Sequence, residues 1–162
     1  MPPAPRSLQE LPPHWAHFCL GLERFAAWRL GRDFRHLSLV VGFSAGADSS
    51  ALLQALVCLA DRGDLRLTAV HLDHGLRPES ADDAAFAARA CAELGVELAA
   101  ERVDVAEIAR RDGLGLEDAG RRERYALFER VRAARGADLV CTAHQLNDLA
   151  EDVLLRLARG TA

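Results

Sequence analysis

The segment Ser44-Ala45-Gly46-Ala47-Asp48-Ser49-Ser50 sets small residues and hydroxyls where a short apolar run, Leu37 to Phe43, passes into a helical pattern. Successive backbone N–H groups in such a turn make a concave anion site. The positive end of the helix dipole reinforces it, and Ser44 and Ser49 add side-chain donors. A pyrophosphate suits that arrangement. Asp48 would repel a bare phosphate, so its place in the loop makes sense with a Mg²⁺ between carboxylate and phosphate oxygens. The same residues equally suit a plain helix start, with Asp48 or Ser44 as the cap and small residues allowing close helix–strand packing.

Other residues with chemical capacity lie further along. His71, Asp73 and His74 sit at the end of an apolar run, where side chains alternate in direction and no fourth ligand is evident; substrate or nucleotide contact is therefore favoured over zinc. Asp148, Glu151 and Asp152 fall at i, i+3 and i+4 in the first turn of a helical pattern. Carboxylates there stabilise the helix dipole whether or not they also meet a ligand. Arg121, Arg122, Arg124, Arg130, Arg132 and Arg135 crowd one helix, and such a charge run reads first as a solvated face.

These residues need a scaffold, and the hydrophobic periodicity supplies one. Strands are expected over 37–43, 67–72, 96–103 and 137–142, and helices over 48–59, 80–94, 105–111, 116–134 and 147–159. Alternating strands and helices predict a three-layer α/β fold: a mostly parallel sheet with helices on both faces. Ligands in such sheets sit beyond the carboxyl ends of the strands, so the loops beginning at Ser44, Asp73 and Ala143 form one expected site. Residues 1 to 13 hold five of the 6 prolines and read as a loose lead-in. The helix that follows, 14–30, carries Trp15, Phe18, Leu22, Phe25 and Trp28 at helical spacing and is expected to cap the domain with that face. Gly113 and Gly115 read as a helix C-cap and turn.

Composition narrows the classes. A chain of 162 residues with 50% hydrophobic and 27% charged residues is one globular domain, not a disordered or fibrous chain. All 20 basic residues are arginine, which excludes lysine Schiff-base chemistry and any phosphate loop built on Gly-Lys-Ser/Thr. The net charge of -4 means that nucleic acid would have to meet a local arginine patch. Cys19, Cys58, Cys91 and Cys141 stand far apart with no C-x-x-C pair, against a zinc knuckle or iron–sulfur site, and read as reduced, mostly buried thiols. No apolar run approaches the ~20 residues of a membrane span and the first residues lack a signal's apolar core, so a cytoplasmic protein without a membrane partner is expected.

With those residues in view, the chain resembles a known family. The Ser44–Ser49 segment is similar to the S-G-G-x-D-S loop of the N-type ATP pyrophosphatases, the PP-loop superfamily, which cleave ATP to AMP and pyrophosphate. Val70-His71-Leu72-Asp73-His74-Gly75-Leu76-Arg77-Pro78-Glu79-Ser80 resembles the H-V-D-H-G-L-R-x-x-S segment of the tRNA(Ile)-lysidine synthetases. Gly115 to Tyr125 is similar to their G-x-E-x-x-A-R-x-x-R-Y, Thr142 to Leu154 to their T-A-H-H-x-D-D-Q-x-E-T-x-L, and Arg156 to Gly160 to the R-x-x-R-G that follows. The departures are Ala45 for the first loop glycine, Gly120 for alanine, Gln145 for histidine, Asn147 for aspartate, Leu149 for glutamine and Asp152 for threonine. A left-handed backbone at Ala45 would cost about 1–2 kcal/mol.

The resemblance implies an adenine-nucleotide alpha-hydrolase-like, Rossmann-like fold. It divides the chain into a lead-in and helix over 1–36 and a PP-loop domain over 37–162, with tRNA-binding domains following in the family, so that the chain is expected to be a piece of a longer protein. The implied reaction joins free lysine to the wobble cytidine of isoleucine tRNA with a CAU anticodon, through an adenylated cytidine, with ATP and Mg²⁺ as cofactors. Ser44, Ala45, Gly46, Ala47, Asp48, Ser49, His71, Asp73 and His74 would bind the nucleotide, and Asp48 the metal. Asp48, Arg121, His144, Asp148 and Glu151 would serve the chemistry, and Arg124, like Arg121, falls on an arginine position of the motif. A homodimer is among the assemblies this allows. The alternatives are another PP-loop tRNA-modifying enzyme, such as a 2-thiolating one that paired cysteines would favour, and a nucleotide-binding module without catalysis.

Overall fold

The computed structural model describes residues 4–76 and 80–144. At its centre β1 (Ser38–Gly42) is buried at every position, because its Leu39-Val40-Val41 run fills both faces of a sheet that is covered on both sides. Parallel partners flank it: β2 (Arg66–Asp73) on one side and β4 (Leu139–Cys141) on the other, with β3 (Glu97–Arg102) beyond β2. The order is therefore β3-β2-β1-β4.

Alternate residues of the strands feed two cores. Leu39, Val41 and Ala69 join Leu53, Leu56 and Leu59 of α2 (Ala47–Gly63) and Ala87, Cys91 and Leu94 of α3 (Ser80–Leu94). Val40, Val70 and Leu72 point the other way and meet Leu127 and Phe128 of α5 (Leu116–Arg135). Against α5 lies α4 (Val105–Asp112), joined through Val105, Ala109 and Ala119. The expected three layers are thus present, while the expected helix over 147–159 lies outside the described residues. Gly42 belongs to the α5 face, and a β-carbon there would come within 2.7 Å of the Phe128 ring. Gly113 is the left-handed C-cap of α4, whereas Gly115 is the extended N-cap of α5.

The first helix, α1 (Pro13–Leu30), forms where expected but turns its aromatic face outward. Trp15, Phe18, Phe25 and Trp28 are exposed, Trp28 by 71%, and the core receives Cys19 with Leu22, Ala26 and Ala27 beside it. Small side chains let the helix approach α2 closely. The aromatic rings pair along the helix instead, Trp15 with Phe18 at 6.1 Å and Phe25 with Trp28 at 5.9 Å between centroids. Among the described residues no helix is long and apolar enough to cross a membrane.

Candidate functional site

From β1 the chain moves outward to β2 and β3 and then returns to the other side of β1 to make β4. Where the order reverses, the loops leaving adjacent strands diverge and open a crevice at their carboxyl ends. A cleft of about 540 Å³ lies there, within the size range of a small-molecule site. It is lined by Ser44, Gly46, Ala47, Asp48 and Ser49 after β1 but not by Ala45, by His71, Asp73 and His74 of β2 and its end, and by Thr142, Ala143 and His144 after β4. The three expected loops do converge.

In the loop after β1, Ala45 takes φ 65, the left-handed region in which glycine is favoured. Gly46 is the extended N-cap of α2 and has no side chain with which to cap the helix. The hydroxyls turn inward: Ser49 and Ser50 donate to the Gly46 carbonyl at 3.0 and 2.9 Å, and Ser44 and Ser49 lie 3.1 Å apart. With its proton spent on Gly46, Ser49 accepts from Ser44. The first-turn N–H groups of α2, which have no intrahelical acceptors, form a backbone cradle beside the cleft. Asp48 is exposed and lines that cleft.

At the end of β2 the side chains are committed one by one. His71 is buried and its Nδ1–H donates to the Phe43 carbonyl at 2.8 Å, which leaves Nε2 as the bare nitrogen. That Nε2 has no partner among the described residues. Burial alone would push the Asp73 carboxyl up, but the Gly75 N–H and the Arg102 guanidinium beside it hold the pKa below its usual value. One Asp73 oxygen accepts from Gly75 at 2.9 Å, and Gly75 takes φ 64, so Asp73 shapes the turn that carries His74.

His74 accepts at Nε2 from Nη2 of Arg124 at 3.1 Å, so the ring hydrogen is on Nδ1. Burial, and then the charge of Arg124, lower its pKa and keep the ring neutral. The ring lies against α5 at Gly120, where a β-carbon would come 3.2 Å from Nδ1. The departure from alanine at this position thus has a steric counterpart.

Arg124 and Phe128 of α5 complete the cleft wall. Arg121 is not among the lining residues; its guanidinium lies 5.4 Å from the centre of the Tyr125 ring. Sequence spacing marked both arginines, and the helix turn of three residues between them decides which one reaches the cleft. Thr142, 2.9 Å from Nδ1 of the exposed His144, was not singled out, although it ends the expected strand beside Ala143. Asp148 and Glu151 lie outside the described residues, as do Arg77 to Glu79. The other arginines of α5 are paired on the surface: Arg122 with Asp112 and Glu123, Arg130 with Glu101, Arg132 with Glu129 and Arg135 with Glu97.

The sequence profile of the PP-loop domain matches residues 23–162. The chain belongs to the PP-loop family. Among PP-loop relatives, a tRNA(Ile)-lysidine synthase of Nitratidesulfovibrio vulgaris is 48% identical over 130 residues, 80% of this chain and 38% of that protein. One of the same name from Deinococcus radiodurans is 48% identical over 75% of this chain and 20% of its own length, and one from Thermus thermophilus 45% identical over 76% and 24%. The chain therefore spans well under half of these curated relatives. The PP-loop fold recurs in solved structures. The U34-tRNA thiolase NcsA of Methanococcus maripaludis superposes with a TM-score of 0.70 at 23% identity over 89% of this chain and 51% of that one. The NH3-dependent NAD synthetase of Campylobacter jejuni gives 0.56 at 18% identity over 77% and 55%.

Proposed function

We propose that this chain is the ATP-using domain of a tRNA(Ile)-lysidine synthetase, which adenylates the wobble cytidine of CAU-anticodon isoleucine tRNA and joins free lysine to it. The observation that carries the reading is the identity of 48% over 130 residues to a relative of that name. The cleft supports it: a backbone cradle after β1, a half-buried arginine opposite, and room for a nucleotide between them.

In this reading the cytidine oxygen displaces pyrophosphate from the α-phosphate of ATP, and the lysine ε-amine then displaces AMP. Negative charge collects on the leaving pyrophosphate. The N–H groups of the first turn of α2 are fixed in place before the reaction and stabilise that charge without reorganising. Positioning carries most of the work in phosphoryl-type transfers, and β1, rigid between two partners, holds the cradle steady. Asp48, exposed beside the cradle, fits a Mg²⁺ that takes its other ligands from water and phosphate oxygens, since among the described residues no three of His, Cys, Asp and Glu cluster as a cage. Such an ion would neutralise phosphate charge. Asp148 and Glu151 are proposed for lysine or metal contacts and His144 and Arg121 for nucleotide or substrate contacts, in a cytoplasmic enzyme.

Cysteine chemistry fits less well. Cys19, Cys58 and Cys91 are buried in the sheet's packing, none lines the cleft, and burial pushes the Cys91 and Cys141 thiols up to about 11.

The test is AMP formation from ATP by the full-length protein, given CAU-anticodon isoleucine tRNA with and without lysine. AMP that depends on the tRNA, lysine incorporated into it, and loss of both in Asp48→Ala support the reading. ATP binding with no tRNA-dependent AMP overturns it in favour of another acceptor or a binding module.

A further inference from the structure

The arginines of α5 divide by what they touch. Arg122, Arg130, Arg132 and Arg135 each meet a carboxylate that cancels their charge. Arg124 meets an imidazole. Its Nη2 donates to Nε2 of His74 at 3.1 Å, and among the described residues no carboxylate lies within ion-pair distance of it. Arg124 is half-buried and lines the cleft, so it faces the ligand volume with its full charge. A carboxylate at position 74 would hold the guanidinium as firmly but would spend the charge, whereas a neutral acceptor fixes one donor and leaves the other N–H groups and the charge available.

The imidazole is held for this purpose on three sides. The Asp73–Gly75 turn fixes the backbone on either side of it, the Val105 N–H binds the His74 carbonyl at 3.3 Å, and the ring rests on the buried Gly120. Its Nδ1–H is buried without a partner, so the ring is not held by a second bond of its own. What fixes its orientation is packing and the bond to Arg124.

We infer that His74 is a positioning residue, not a ligand of the nucleotide: it holds Arg124 over the cleft as a cation that meets no carboxylate among the described residues, and Arg124 contacts the anionic part of the bound nucleotide. The inference rests on the proposed use of ATP at this cleft. Affinities for ATP and for adenosine, measured by titration calorimetry on the full-length protein, separate the anionic contact from the rest. A charge-assisted hydrogen bond is worth about 1.5–3 kcal/mol, so Arg124→Gln is expected to weaken ATP about tenfold to a hundredfold and leave adenosine unchanged. His74→Leu, without an acceptor, and His74→Glu, with a neutralising one, should each lose ATP about tenfold. His74→Gln keeps a neutral acceptor near the same place and should stay within about threefold of the parent. In the Arg124→Gln background, His74→Leu should cost nothing further.

Full ATP affinity in His74→Glu or His74→Leu, equal losses for adenosine, or additive losses in the double variant would overturn the inference. Should His74→Leu fail to fold, the contrast between His74→Glu and His74→Gln decides it alone. Failure of the unaltered protein to bind ATP overturns the functional reading and this inference together; binding that the His74 variants leave unmoved overturns the inference only.

Discussion

Across the cleft, the loop from Ser44 to Ser49 and the wall made by His74 and Arg124 line the same volume with opposite materials. In the loop the hydroxyls bind one another and the Gly46 carbonyl, so what faces a phosphate is backbone N–H, with the Asp48 carboxylate beside it. In the wall the backbone is committed to the turn and to α5, and what remains is a side-chain cation on a neutral prop. A site made of backbone tolerates changes of residue type that keep its dihedral angles, which is how Ala45 can stand at φ 65 where a glycine would be at ease. A site made of side chains tolerates few changes of type.

The sharpest way to break this contrast is to remove a backbone donor without touching a side-chain contact. Ala47 is the first residue of α2, where proline is accommodated, and Gly46 before it is extended, as a residue preceding proline must be. Ala47→Pro should therefore fold normally and bind ATP about tenfold or more weakly, by loss of one charge-assisted hydrogen bond. An unchanged affinity, read by calorimetry, would mean that the cradle does not meet the phosphates.

Ser49→Ala probes the other half of the claim. The buried hydroxyl bridges Gly46 and Ser44, so its loss should destabilise the fold by about 1–2 kcal/mol in urea denaturation while ATP affinity moves less than about threefold. The reverse pattern, stable but weakly binding, would put the hydroxyl on the ligand.

Ala45→Gly should act on stability alone. Relief of the left-handed alanine, set against glycine's greater entropy when unfolded, gives a gain of about 0.5–1 kcal/mol with ATP affinity unchanged. A loss of stability would show that the methyl group packs.

The smallest effect concerns pH. His74 has a lower pKa in the folded chain than its ordinary 6.5, because of burial and then Arg124, so the unfolded chain takes up the proton first. Its contribution to stability is whole above that value and is withdrawn as the pH falls below it. Comparing denaturation of the parent and His74→Gln between pH 7.5 and pH 5, the parent should lose more; parallel curves would mean that the imidazole accepts the proton without penalty.

Much of this architecture was legible in the residues. The β-branched run at 38–42 and the periodic helices mark the layers, and the carboxyl ends of the apolar runs mark the three loops that meet at the cleft, whereas the order β3-β2-β1-β4 is visible only in the structure. Two things escaped. The docked face of α1 is one, because periodicity finds an apolar stripe but not which of two stripes docks, and the core takes Cys19, Leu22 and the alanines while the aromatics stay exposed. The roles of Arg121 and Arg124 could not be divided by spacing, since both sit on motif positions and only the wall of the cleft distinguishes them. Neither is the inward turn of the loop's hydroxyls written in a string of serines, because a hydroxyl's partner is set by dihedral angles.

One feature of the sheet bears on how the chain comes to be. Among the described residues β1 is the first strand along the chain and lies between β2 and β4; the Ser38 N–H binds the Asp138 carboxylate, 100 residues later. At a translation rate of about 5–20 residues per second, and with roughly 70 residues between the end of β2 and the end of β4, one edge of Leu39-Val40-Val41 waits about 3–14 s for its partner after the other edge has found β2. During that interval the nascent chain displays an open apolar edge of the kind that recruits strands from other molecules. That exposure ends when β4 pairs with β1.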